Sequence, residues 1–319
     1  MSDAMGRSEM AAADLPVTPG LGAGGEGGSG RPGRENAGSV RPGRETLRLF
    51  VRNKAAVVGV LMLAGVIFMT VAGPRLYGQD PKDIVARPLI GPGELAEARL
   101  GTDYLGRDVL AGVISGGTTS LTVAAIAAAT VLVIGISIGA VAGYYGGWAD
   151  GALMRFTEFF QVLPALLFAM VVVALFEPSM WTISFAIGVV AWPGIARITR
   201  AEFLRLKNLE FVRAARALGA TDWRIIRRVV FPNALPPLIV SATLIMGTAI
   251  LFEAGLAFLG LGDPNSTSWG LMIGLNRGNF LTAWWSVTFP GLAIFFTVLS
   301  FSLIGDGLQD AYNPKLRGR

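Results

Sequence analysis

Residues Glu210–Pro232 read EFVRAARALGATDWRIIRRVVFP. Strongly apolar segments flank this stretch, yet it is dense in arginine. The spacing predicts a helix, a hinge at Gly219 and a second helix. In the first helix Phe211, Ala214, Ala215 and Leu218 share one face, with Arg213 and Arg216 opposite. The two alanines leave room for another surface to come close. Gly219 tolerates the positive φ that closes a helix C-terminus, and Thr221 is placed to cap the next helix. There Ile225, Ile226 and Val229 are apolar, while Arg224, Arg227 and Arg228 form a basic face. Pro232 is expected to stop that helix. Two readings stand: a docking surface beside a membrane, or an interfacial helix pair lying against lipid headgroups.

Composition sets the setting. Hydrophobic residues make up 52% of the 319 and charged residues 15%, with a mean hydropathy of +0.55. That balance belongs to a polytopic membrane protein. There is no cysteine and no histidine, which removes disulfides, thiolate chemistry, the commonest metal ligand and the easiest general base. The excess of arginine is the positive charge expected on cytoplasmic loops, so nucleic acid is not needed to explain it.

Working outward, residues 1–45 are rich in Gly, Pro, Ser and Arg and have little to bury, so a disordered cytoplasmic tail is expected. Its repeated RPGRE, at 31–35 and 41–45, is either solvated or a contact for acidic lipid or a partner. Residues 46–319 read as one all-α membrane domain with six spans, near 55–73, 118–143, 157–176, 180–198, 234–257 and 285–305. Pro193 and Gly194 interrupt the fourth. Arg48, Arg52 and Lys54 before the first span, and Lys315, Arg317 and Arg319 after the last, place both termini inside. The arginine loop, about 199–233, then lies inside; the loops at about 74–117 and 258–284 lie outside. In the second span Gly135, Gly139 and Gly143 form a small-residue stripe, for packing either within the chain or against a second subunit.

Candidate polar sites are few. Asp103, Arg107 and Asp108 in the outward loop read as a contact or gate, or as an ion-pair network shaping the turn. No nucleophile–base pair accompanies them. Glu158 and Glu253 lie near span ends; intramembrane carboxylates are functional candidates by default, although each also suits an interfacial hydrogen bond. No lysine follows a glycine: Asn53, Pro81, Leu206 and Pro314 precede Lys54, Lys82, Lys207 and Lys315. A phosphate-cradling loop needs that pair, so ATP is not hydrolysed here.

Four segments carry a family resemblance. Arg213-Ala214-Ala215, Gly219 and Val229-Val230-Phe231-Pro232 match the spacing of the EAA signature of ATP-binding-cassette (ABC) importer permeases, with Arg213 in place of its glutamate and Glu210 one turn earlier. LGTDYLGRDVLAGVISGG (Leu100–Gly117), FLGLGDPNSTSWGLMI (Phe258–Ile273) and IGDGLQDAYNPKLR (Ile304–Arg317) resemble segments of dipeptide and oligopeptide permeases, in the order of the second, C-type, subunit. The resemblance implies a type I importer permease fold and a pathway for peptides, formed with a second permease chain. It also implies two cytoplasmic ATPases that bind ATP-Mg, an extracytoplasmic solute-binding protein, and no cofactor in this chain. On it, Glu210, Arg213, Ala214, Ala215, Arg216, Gly219, Asp222 and Pro232 are expected to dock the ATPase. Asp103, Arg107, Asp108, Glu253 and Trp269 are expected at the outward loop or gate. A multi-pass protein of a prokaryotic cell membrane follows. Nickel or another small solute is the alternative cargo, and a proton-coupled carrier the alternative mechanism.

Overall fold

The computed structural model describes residues 42–312. The expected tail, its first RPGRE repeat and the basic residues after Tyr312 lie outside these. Among the described residues the architecture is all helical, with only isolated β-bridges such as Thr102 with Asp108.

Helix α1 (Pro42–Arg52) opens on a proline, whose missing N–H costs nothing at a helix start. It therefore begins a few residues before the boundary expected at 46. Asn53 separates it from α2 (Lys54–Tyr77): its side chain accepts from the Ala55 and Ala56 amides and donates to Asp310 at 3.0 Å. Helix α3 (Val109–Tyr145) has 37 residues, about 55 Å at the usual rise. This exceeds the roughly 30 Å hydrocarbon layer by several turns. Helices α4 (Gly147–Val162) and α5 (Ala165–Leu175) meet at 86°. Pro164 pushes Leu163 to an extended φ/ψ of −71°/130°, out of the helical region. The third expected span is thus a broken one.

Helix α6 (Met180–Lys207) runs unbroken through Pro193 and Gly194, contrary to the expected interruption. Pro193 is buried in the helix interior; proline there removes one hydrogen bond, and packing holds the rest. After α7 (Glu210–Ala217) and α8 (Asp222–Ile225), a π-helical turn at Ile226–Val230 leads into α9 (Phe231–Leu256). Pro232 therefore does not end a helix. The wider turn, in which the Phe231 amide reaches back to the Ile226 carbonyl, relieves the clash a proline ring makes with the carbonyl four residues earlier. A second π-helical turn (Ala257–Leu261), α10 (Trp269–Asn276) and α11 (Trp285–Tyr312) complete the chain. Among the described residues five helical segments are long and apolar enough to cross a membrane, and the total is six if the bent pair α4–α5 forms one span.

The glycine stripe packs inside the chain, not against a partner. A Cβ added at Gly135, Gly139 or Gly143 would lie 3.0, 2.3 or 2.7 Å from the carbonyl oxygens of Trp192, Ala196 and Arg200. Three glycines at a spacing of four thus face three α6 carbonyls at the same spacing. Backbones that close gain dispersion and Cα–H···O contacts that side chains would forbid.

Candidate functional site

Two ends of the helix assembly hold the expected site residues. At one end, α7 and α8 sit on a buried apolar base formed by Phe203, Leu206, Val212, Ile225, Val230 and Leu238. Gly219 takes φ +80°, as the hinge requires, and the Ala220 amide closes the turn on the Ala215 carbonyl at 3.1 Å. Thr221 stands at the N-cap position, but its side chain makes no cap bond; its carbonyl accepts from Ile225 instead.

The face expected to be apolar is split by the fold. Ala215 turns half inward onto the base. Phe211, Ala214 and Leu218 stay outside, with Leu218 88% and the nearby Trp223 69% exposed. Arg213, Arg224, Arg227 and Arg228 are exposed and form no ion pair among the described residues. Glu210 and Pro232 are exposed too. Asp222 has a positioning role that spacing alone does not reveal. It accepts from the Tyr144 hydroxyl at 2.6 Å, and Arg216 donates to the same hydroxyl at 3.3 Å. Lys207 donates to the Tyr144 carbonyl at 3.2 Å. These bonds tie both loop helices to the end of α3. Nearby, Arg200 grips Asp150 in a two-pronged pair, which ties α6 to α4. Tyr144, Lys207, Asp150 and Arg200 were not among the expected site residues. An aromatic residue ending a long apolar helix beside a basic loop is the signal that marks Tyr144.

At the other end the acidic residues are structural. Asp103 accepts from the Leu105 and Arg107 amides, both at 2.8 Å, and shapes the turn. Asp108 is buried and caps α3 through the Leu110 and Ala111 amides. This is the turn-shaping reading of the segment, achieved with backbone amides and not with Arg107. Trp269 is fully buried; its indole donates to the Val113 carbonyl at 2.8 Å. Glu253 is also buried, and its two oxygens accept from Ser268 at 2.6 Å and Ser120 at 3.3 Å. Ser268 in turn caps α10, and Ser120 accepts from the Trp269 amide. One carboxylate thus links α3, α9 and α10. Glu253 and Trp269 are brought together; Asp103, Arg107 and Asp108 form a separate group in the preceding loop. Ser120 and Ser268 escaped the sequence reading because serines are common and Glu253, which both meet, lies 133 positions from Ser120.

Comparison with known proteins identifies the class. A family model described as a binding-protein-dependent transport system inner membrane component matches residues 135–318. Another, the N-terminal TM domain of oligopeptide transport permease C, matches residues 41–92. The chain is 37% identical over 288 residues to the dipeptide transport system permease protein DppC of Alkalihalophilus pseudofirmus, covering 90% of this chain and 94% of that one. It is 39% identical over 278 residues to DppC of Bacillus subtilis, covering 86% of each. It is 36% identical over 281 residues to the glutathione transport system permease protein GsiD of Pectobacterium atrosepticum, covering 88% of this chain and 93% of that one. Among solved structures, the inward-facing MetNI methionine ABC transporter aligns with a TM-score of 0.50 at 18% identity, covering 63% of this chain and 97% of that one.

Proposed function

The chain belongs to the family of binding-protein-dependent transport system inner membrane components, and from that premise we propose that it is the C-type permease subunit of an ATP-driven peptide importer. The family consists of membrane permease subunits of the cell membrane and not of catalysts. In this reading a second permease chain completes the pathway, and two cytoplasmic ATPases bind ATP-Mg. A solute-binding protein delivers the peptide from outside. Both termini and the α7–α8 loop face the cytoplasm, in keeping with the arginine excess there.

The observation that carries the proposal is the surface of that loop. Phe211, Ala214 and Leu218 are left bare on a buried apolar base, among arginines that form no ion pair among the described residues. Small and apolar groups at the centre with cations at the rim suit a protein cleft. Glu210, Arg213, Ala214, Arg216 and Gly219 belong to this surface. Ala215, Asp222 and Pro232 support it. A proton-coupled carrier would rest on Glu158 or Glu253, and the buried Glu253 carboxylate accepts from two serine hydroxyls that tie α3 and α10 to α9.

The test is uptake of a dipeptide into vesicles holding this chain, its partner permease, the ATPases and the binding protein. Uptake should need ATP and persist when the proton gradient is collapsed. Accumulation driven by a pH gradient in vesicles holding this chain alone would reject the reading. Orientation is checked separately with single cysteines, since the chain has none. A cysteine at exposed Asn265 should react with a membrane-impermeant thiol reagent from outside, and one at exposed Thr221 only after permeabilisation. Thr102, fully buried, is unsuitable for such labelling.

A further inference from the structure

The loops around Arg107 and α10 enclose a cavity of about 430 Å³. Three cations line it: Lys82, Arg107 and Arg277. None forms an ion pair among the described residues. Lys82 donates to the Asn265 carbonyl at 2.6 Å, and Arg277 to the Phe258 carbonyl while lying over the Phe258 ring. Backbone carbonyls satisfy hydrogen bonds but leave the charges uncompensated. Arg107 is less satisfied still. Its Nε is shut off from solvent with no acceptor, as is the hydroxyl oxygen of Ser266 on the same cavity. Buried polar atoms without partners are rare and mark a missing group. Asp103 and Asp108 beside it in sequence are engaged with backbone amides. Leu271 and Leu275 also line the cavity.

A planar guanidinium with two flanking cations and a hydroxyl is a receptor for a carboxylate. The leucine wall offers room for a side chain attached to that carboxylate, and the volume suits a small ligand more than a protein surface. We propose that this cavity receives the C-terminal carboxylate of the transported peptide, with Arg107 as its principal partner. The assignment rests on the reading of the chain as a peptide-importer permease. It adds a point of recognition in the permease itself, at the same end of the chain as the Asp103 turn and α10.

The experiment uses the complete importer in lipid nanodiscs without its binding protein, with Thr267→Cys, at a half-buried position lining the cavity, as the reporter. Labelling of the cysteine by a negatively charged thiol reagent is timed. Dialanine should slow it about ten-fold or more at saturation, while dialanine amide should not, because a lost charge-assisted bond is worth at least that factor. Arg107→Gln should remove the protection, and Arg107→Lys should keep part of it. Equal protection by acid and amide, or protection that survives Arg107→Gln, overturns the proposal. So does protection by the empty binding protein where dialanine gives none, which assigns the carboxylate to a partner protein. If Thr267→Cys does not assemble, Pro264→Cys, exposed on the same cavity, serves with the same criteria. ATP-driven dialanine uptake by the unmodified importer is measured alongside. Its absence refutes the importer reading, whereas normal uptake without protection refutes the cavity alone.

Discussion

The connector at residues 78–108 and the connector at residues 208–230 differ in where their polar groups go. In the first, Thr102 is fully buried, donates to the Arg87 carbonyl and accepts from the Ile90 amide, both at 2.9 Å. Trp285 donates to the Thr102 carbonyl at 3.1 Å, and the Tyr104 amide to Asn276 at 3.1 Å. This connector is stitched to α11 and α10 by bonds within the chain. The second connector is anchored from beneath by apolar side chains and by Tyr144, which Arg216 also meets, whereas Arg213, Arg224, Arg227 and Arg228 form no ion pair among the described residues. Two loops of one chain thus differ: the first, Arg107 apart, spends its polar groups within the chain, and the second leaves most of its arginines bare.

The largest expected effect breaks what joins the two ends. Gly139→Leu would drive a side chain into the Ala196 carbonyl. A cost of roughly 3 kcal/mol or more is expected from overpacking against backbone, seen as loss of folded chain in a detergent thermal-aggregation assay. Recovery at the normal level would show that the α3–α6 seam is looser than its geometry.

Next come substitutions that separate surface from base. Leu218→Asp should weaken co-purification with the ATPases by about 2 kcal/mol, or some thirty-fold, with no shift in the melting of the isolated chain. Ala215→Trp should do the reverse, costing about 1–3 kcal/mol of stability because Ala215 packs on the base. If both variants melt normally and both lose the ATPase, the division into surface and base fails.

Thr102→Val tests the self-completed connector. Leaving the Ile90 amide and the Arg87 carbonyl without the hydroxyl should cost about 1–2 kcal/mol, read as a lower melting temperature, with ATPase binding unchanged. The smallest effect is expected at Glu253→Gln, which keeps an acceptor for one serine. Uptake should fall only about two-fold and stay insensitive to the proton gradient; abolition of uptake would show that the charge itself is required.

Much of this molecule is legible in its sequence. The spans follow from apolar length, and the hinge from one glycine between two arginine-bearing helices. What escaped follows from geometry that spacing does not carry. Pro193 and Pro232 are read from sequence as breaks, yet neither is one; the break falls at Pro164, which the sequence reading did not single out. Pro193 is held by packing, and Pro232 is absorbed by a turn with one extra residue. The apolar face read for α7 is split by the fold: Val212, outside the expected set, is the buried residue of α7, and Phe211, Ala214 and Leu218 stay exposed. Asp103 and Asp108 are read from sequence as a contact or gate or as a network shaping the turn, and the resemblance puts Trp269 at the outward loop or gate. Their work in the structure is capping and packing, and the unsatisfied Arg107 between them is visible only once the acceptors around it are counted.

The match between the α3 glycines and the α6 carbonyls also limits how the molecule can move. Any axial slip smaller than a full step would press a Cα against the next bulky side chain. The repeat of four residues allows the pair either to hold its present register or to jump by about 6 Å at once. The two helices therefore behave as one stiff strut, about 55 Å long on the α3 side. A push at Tyr144 reaches Asp108 as rigid tilt or rotation, without being absorbed along the way.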